Sequence, residues 1–416
     1  MRITELHLRN FKCFEELNLK LHPRFNVLVG INGVGKTSLL EAIRVAIGSL
    51  YLGLDKYEDR IESPGIVNDD VRLSGLEQQF PVVVHAKGMM DSSQKEGAET
   101  EVEWERQLKT REGKTLYRDA KQMLSASREM QDRIRKQEEV NIPLVAYFST
   151  DRYKKERRDI KIEPNGSRLR GYYNALDQTT NIRYFLNLYA TETLDELQSG
   201  EKSLLLEAVN QSVKECVNCK DVRYFLKQQE LVMEYENGDK MPFHLLSDGV
   251  RSTLAMAMEI ALRCYLLNPH LKSLAPSQTK GVVLIDELDL HLHPSWQKHV
   301  ATDLRRAFPQ LQFVVTTHAP LILSSLDDCF IFSINDRQVY DFPLQYGRDA
   351  NYILDEMGVQ GLEESIQQEL DDYLILIEKG QGKTEKSQAI RHNLESKLGK
   401  NHPELQRADL MLSFFE

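Results

Sequence analysis

FNVLVGINGVGKTS (residues 25–38) sets a mainly apolar run, Phe25–Val29, against a glycine-rich loop and the start of a helix. The run does not alternate, as in a strand covered on both faces. Beyond the loop, Leu39, Leu40, Ile43 and Ile47 recur at helical spacing. Between the two, Gly30–Thr37 (GINGVGKT) matches GxxxxGK[ST] in the setting that gives the pattern meaning. Glycines let backbone N–H groups converge on phosphate oxygens, and the helix N-terminus adds its positive end. Asn32, Gly33, Val34, Gly35, Lys36, Thr37 and Ser38 are therefore the expected contacts of ATP. Lys36 is to reach the β- and γ-phosphates, and Thr37 is to ligate Mg2+.

Outward from the loop, VVLIDELDLHLHP (282–294) delivers two adjacent carboxylates to the end of a buried strand. Asp286 suits the Mg2+ shell, and Glu287 is placed to polarise an attacking water, which a binder without hydrolysis does not need. His291 and His293 lie two apart with no third ligand evident, so a structural turn is the better reading. LLSDGVRS (245–252) precedes an apolar helix containing Leu254, Ala255, Met258, Ala261 and Leu262, and FVVTTHAP places His318 after an apolar strand.

LSDGV resembles the LSGGQ signature of ABC-type ATPases, with Asp248 where the first glycine usually stands. The resemblance implies that Ser247, Asp248 and Gly249 of one subunit close over the γ-phosphate held by the other subunit's glycine loop. It also implies that His318 is the switch histidine facing the γ-phosphate and the water, and that Asp289 communicates across the dimer. The glutamine that the family carries between the first and third motifs is missing from FSTDRY (148–153), where Ser149 or Asp151 is to substitute. LRNFKCFEEL (8–17), the glycine loop and DELDLHLHP together look like the RecF, OLD and SMC-like branch. PLVAYFSTDR (143–152), LSDGVRS and YGRDANYIL (346–354) resemble the PtuA ATPases of Septu-type antiphage systems and of some retron operons. This likeness runs over nearly the whole chain. It implies head-to-tail dimers, further assembly as a hexamer, and control of a separate HNH endonuclease of the PtuB kind.

The 416 residues are 41% hydrophobic and 28% charged with a net charge of −10, a soluble globular composition. The opening residues lack a signal-peptide core and no window approaches a membrane span, so a cytoplasmic protein without a membrane partner is expected. Of the five cysteines, Cys216 and Cys219 form a lone CVNC, read as reduced thiols; Cys13, Cys264 and Cys329 are isolated. Strands are predicted at the start (Ile3, Leu6, Leu8; then Leu17, Leu19, Leu21) and at 80–86, 100–107 and 142–150. A charged helix at 115–137 is either a projecting arm or a packed surface helix. The fold class is α/β: an ABC-type P-loop ATPase core with a β-rich N-terminal lobe, helical insertions and a C-terminal helical extension. Its ATPase domain is drawn at 1–360, with insertions about 108–140 and 171–240, and a helical segment at 361–416 for partner docking.

The stretch after His318 reads mostly as charged helix, with Asp371 and Asp372 on a solvated face, unlike a Toprim nuclease. No HNH pattern is present either, so the chain is expected to hydrolyse ATP without cutting nucleic acid. One alternative is a RecF-like DNA-repair ATPase that clamps duplex DNA through Lys154, Lys155, Arg157, Arg158, Lys161, Arg168 and Arg170. A charge run of this kind is as often a solvated loop. Another alternative is a non-hydrolysing ATP-dependent scaffold, against which Glu287 argues.

Overall fold

Strands β1 (Arg2–Phe11) and β2 (Phe14–Lys20) alternate between buried and exposed residues, as a sheet with one solvated face does. β3 (Phe25–Val29) is buried at every residue. The short hairpin β4 (Leu73–Ser74) and β5 (Glu77–Gln78) precedes β6 (Val82–Asp91) and β7 (Glu99–Leu108). The N-terminal sheet runs β2-β1-β6-β7 and is antiparallel throughout. The computed structural model describes residues 1–55, 61–91, 98–117, 119–150, 167–177, 182–358, 364–400 and 402–414.

β8 (Leu144–Phe148) is also fully buried, and β9 (Asp221–Phe225), β10 (Glu230–Glu234) and β11 (Lys240–Pro242) make a small antiparallel sheet. β12 (Gly281–Ile285) and β13 (Leu311–Thr316) are buried at each position, whereas β14 (Phe330–Asn335) and β15 (Gln338–Phe342) reach an edge. The central sheet has the order β15-β14-β3-β13-β12-β8 and is parallel apart from the β14–β15 hairpin. Its register decides the site. Ile285 stands beside Phe148 and Val315, and Thr316 beside Leu28, so four strands finish at one edge.

Helix α1 (Lys36–Ile47) buries Leu39, Leu40, Ala42, Ile43, Val45, Ala46 and Ile47 because it touches both sheets. Each large aliphatic among them contributes roughly 1.5–3 kcal/mol by leaving water. The Trp104 indole on β7 donates to the Ala46 carbonyl at 2.9 Å. The two sheets are also tied by Gln312 of β13, which accepts from the Ile3 N–H and donates to the Ile3 and His22 carbonyls, each at 2.8 Å.

Helix α2 (Lys121–Arg135) packs on the domain and is not a projecting arm: Met123, Ser127, Met130 and Gln131 are buried, and Gln131 accepts from the Asp55 N–H. It begins later than the sequence pattern, because Leu116 is a bridge partner of Gln107 on β7. α3 (Ile182–Ser199) and α4 (Leu204–Val217) precede the long α5 (Asp248–Leu267), which is buried over most of its length. The short helices α6 (Ala275–Gln278), α7 (Pro294–Gln297), α8 (Val300–Ala307) and α9 (Pro320–Leu323) connect the later strands.

The chain divides into two compact units, Met1–Arg348 and Asp349–Glu416. The second consists of α10 (Ala350–Glu356), α11 (Glu364–Glu378), α12 (Glu385–Leu398) and α13 (Pro403–Phe414). Leu370, Tyr373, Ile377, Leu394, Leu405 and Ala408 form a core of its own. Asp371 and Asp372 are exposed on α11. The division drawn from sequence at 360 falls outside the described residues. Among those residues, no helix is long and apolar enough to cross a membrane.

Candidate nucleotide site

The loop Gly30–Gly35 closes on α1 with Gly35 at φ 115, and no side chain caps the helix. Its first-turn N–H groups are thus available to an anion. Gly35 is required twice over: the left-handed backbone favours glycine, and a Cβ would meet Cys13 Sγ at 2.4 Å. Cys13, in the β1–β2 turn, bonds weakly to the Val34 carbonyl, and burial pushes its thiol up. Lys36 Nζ donates to the carbonyls of Gly30 (2.8 Å) and Ile31 (2.9 Å), folded over the loop. Burial pulls the Lys36 ammonium below the ordinary lysine value, opposed by the Asp286, Glu287 and Asp289 carboxylates. Asn32, Gly33 and Thr37 are exposed; Val34 and Ser38 are half-buried.

Asp286 follows β12 and is 3% exposed. Thr37 Oγ1 donates to its Oδ2 at 2.9 Å, and Thr316 Oγ1 donates to its Oδ1 at 2.7 Å. The Thr316 hydroxyl also accepts the Glu287 N–H at 2.7 Å. Glu287 sits at φ 49, a left-handed conformation that a non-glycine residue adopts only when its surroundings hold it. One turn on, Asp289 Oδ1 accepts the Thr317 hydroxyl at 2.6 Å and the His318 N–H at 3.2 Å. A carboxylate and a hydroxyl at hydrogen-bond distance are the sparse, hard oxygen set that suits Mg2+ when phosphates complete its shell. His293 Nδ1 accepts the Ser295 N–H and caps α7, the turn role read for it from sequence.

Ser247 and Asp248 are exposed at the uncapped N-terminus of α5, with Asp248 paired to Arg251. Gly249 is buried against the turn after the carboxylates, where a Cβ would meet the His291 carbonyl oxygen at 2.5 Å. The fold therefore gathers Lys36, Thr37, Asp286 and Glu287 at one edge, and Asp289 holds the backbone N–H of His318. Among the described residues, no hydrogen bond joins Ser247 or Asp248 to the glycine loop.

Thr316 and Thr317 were not singled out from sequence. Their signal was two adjacent hydroxyls at a strand end beside a strand that carries a buried carboxylate. Ser149 is buried just past β8, whereas Asp151 and the basic residues Lys154, Lys155, Arg157, Arg158 and Lys161 lie outside the described residues. Arg168 is engaged internally, donating to the Leu267 carbonyl at 2.8 Å and the Val140 carbonyl at 2.6 Å. Burial pushes up the thiols of Cys216 and Cys219, the latter to about 11.

A glycine loop, a buried aspartate two strands away and a helix-borne threonine joining them are the core of a P-loop ATPase. A family model described as "AAA domain, putative AbiEii toxin, Type IV TA system" matches residues 25–324, and the chain belongs to that family. It is 24% identical to the retron Vc95 probable ATPase of Vibrio cholerae over 91% of this chain and 82% of that one. To the retron Ec83 probable ATPase of Escherichia coli it is 25% identical, over 82% of this chain and 73% of that one. Septu protein PtuA of Bacillus mycoides is 23% identical over 94% of this chain, which spans 49% of that protein's length.

Proposed function

We propose that this chain is the ATP-hydrolysing regulatory subunit of an antiphage defence complex, working in head-to-tail pairs to control a separate HNH nuclease. The observation that carries the ATPase part is the 2.9 Å bond between Thr37 and Asp286, which joins the phosphate-loop helix to the carboxylate strand. The loop N–H groups and Lys36 bind the triphosphate, and Thr37 and Asp286 hold Mg2+, which neutralises charge on the phosphate oxygens. Glu287 polarises water for attack, and His318 faces the γ-phosphate. Ser247 and Gly249 serve the mate's nucleotide; the exposure of Ser247 and Asp248 at the uncapped start of α5 supports a role outside its own subunit, with Gly249 buried behind them.

The likeness to PtuA and to retron ATPases supports the defence setting. In this reading the closed or open state of the pair restrains or releases the nuclease, and residues 349–416 are its docking unit. The pairs assemble further, as a hexamer.

Complementation tests the shared site. Lys36→Ala abolishes nucleotide binding, while Ser247→Arg preserves binding and blocks turnover. Mixing the two folded variants restores about one working site per mixed pair. Associating variants that stay inactive together overturn the shared-site model.

A further inference from the structure

We infer that Thr316 is a positioning residue that presents Asp286 to the metal and Glu287 to the attacking water; this rests on the ATPase reading above. Thr316 ends β13, is 0% exposed, and spends its one hydroxyl on two neighbours at once. It donates to Asp286 Oδ1 at 2.7 Å and accepts the Glu287 N–H at 2.7 Å. Asp286 Oδ2 meanwhile accepts from Thr37 at 2.9 Å. Each oxygen of the carboxylate is therefore oriented by a different threonine, one on the phosphate-loop helix and one on the neighbouring strand. With Oδ1 held from β13, the plane of the carboxylate is set and Oδ2 is turned toward the loop.

The same hydroxyl holds Glu287. A glutamate at φ 49 needs its backbone pinned, and the bond from its N–H to Thr316 is one such pin. One buried hydroxyl thus bonds both residues, Asp286 through its carboxylate and Glu287 through its backbone. The register does not depend on it. The Leu288 N–H bonds to the Thr316 backbone carbonyl at 2.9 Å, a bond that survives any side-chain change.

Removing the hydroxyl without changing the shape is therefore the test. Groups that orient a metal ligand from behind are typically worth about 10–100-fold in metal affinity or activity. Thr316→Val is expected to weaken the Mg2+-dependent part of nucleotide affinity by about that factor, raising KM for MgATP as well as lowering kcat. Thr316→Ser, which keeps the hydroxyl, is expected to remain close to the parent. Affinity is read by calorimetric titration of AMP-PNP at increasing Mg2+ and again in EDTA, which needs no turnover.

A folded Thr316→Val protein with parental Mg2+ dependence overturns the inference, and so does a Ser variant as impaired as the Val variant. Where the Val protein does not fold, Thr316→Ala is compared with Ser by the same titration and judged by the same outcomes. Glu287→Gln, run alongside, separates the two levels. If it turns over ATP normally, the catalytic assignment of Glu287 fails, whereas a parent protein that does not turn over ATP overturns the ATPase reading. If it is inactive while Thr316→Val titrates as the parent does, only the role of Thr316 fails.

Discussion

Asp286 has two carboxylate oxygens, and the fold assigns a different threonine to each. That division of labour explains how a side chain 3% exposed stays oriented toward the loop. A buried carboxylate left to rotate has no fixed ligand geometry, whereas one held by two hydroxyls does. Glu287 differs in being bonded to Thr316 through its backbone N–H. Glu287→Gln keeps the shape and removes the base, so phosphate release is expected to fall by about 10²–10⁴-fold. Nucleotide affinity is expected to be unchanged, which equilibrium titration checks against the Lys36→Ala variant.

At the scale of elements, α5 sits where signature, core and the segment after β8 meet. Its Arg263 is 1% exposed and fully engaged: to Glu259 at 2.7 Å, to the Gly171 carbonyl at 2.7 Å and to the Tyr173 carbonyl at 3.1 Å. The guanidinium also lies 4.9 Å from the centre of the Phe185 ring. Truncating one partner of a buried pair strands the other, so Arg263→Leu is expected to destabilise the protein by about 3–5 kcal/mol. Replacing Glu259 by leucine as well recovers part of that loss, because the stranded charge goes too. Urea denaturation of the single and double variants measures both steps. α1 relies more on aliphatic burial between two sheets, with a part-buried Glu41–Lys12 pair beside it.

For the whole molecule, the two units set separate expectations. Residues 349–416 bury Leu370, Tyr373, Ile377, Leu394, Leu405 and Ala408 against one another, and Arg391 lies 5.9 Å from the Tyr373 ring centre. A fragment of these residues is expected to be helical with a cooperative melt by circular dichroism. Residues 1–348 alone are expected to keep nucleotide affinity, measured by equilibrium titration. A fragment that stays unfolded, or a truncation that cannot bind nucleotide, shows that the units depend on each other.

Much of this was legible in sequence wherever the determinants are contiguous. β3, the glycine loop and α1 follow one another in a single stretch, and Asp286-Glu287 are adjacent, so local pattern was enough to place them. The helical character of the C-terminal segment was legible for the same reason, since helical spacing is a local pattern. Pattern could not choose between a projecting and a packed α2, because a helix's charged face looks the same whether or not its other face has a neighbour. Nor did it find Thr316, whose bond to Asp286 spans 30 positions, or Gln312, whose bonds to Ile3 span 309. Residue type and near spacing determined the chemistry available to this chain. Which hydroxyl meets which carboxylate was decided only when parallel register set β3, β12 and β13 side by side, because a hydrogen bond depends on ångström distances that sequence separation does not encode.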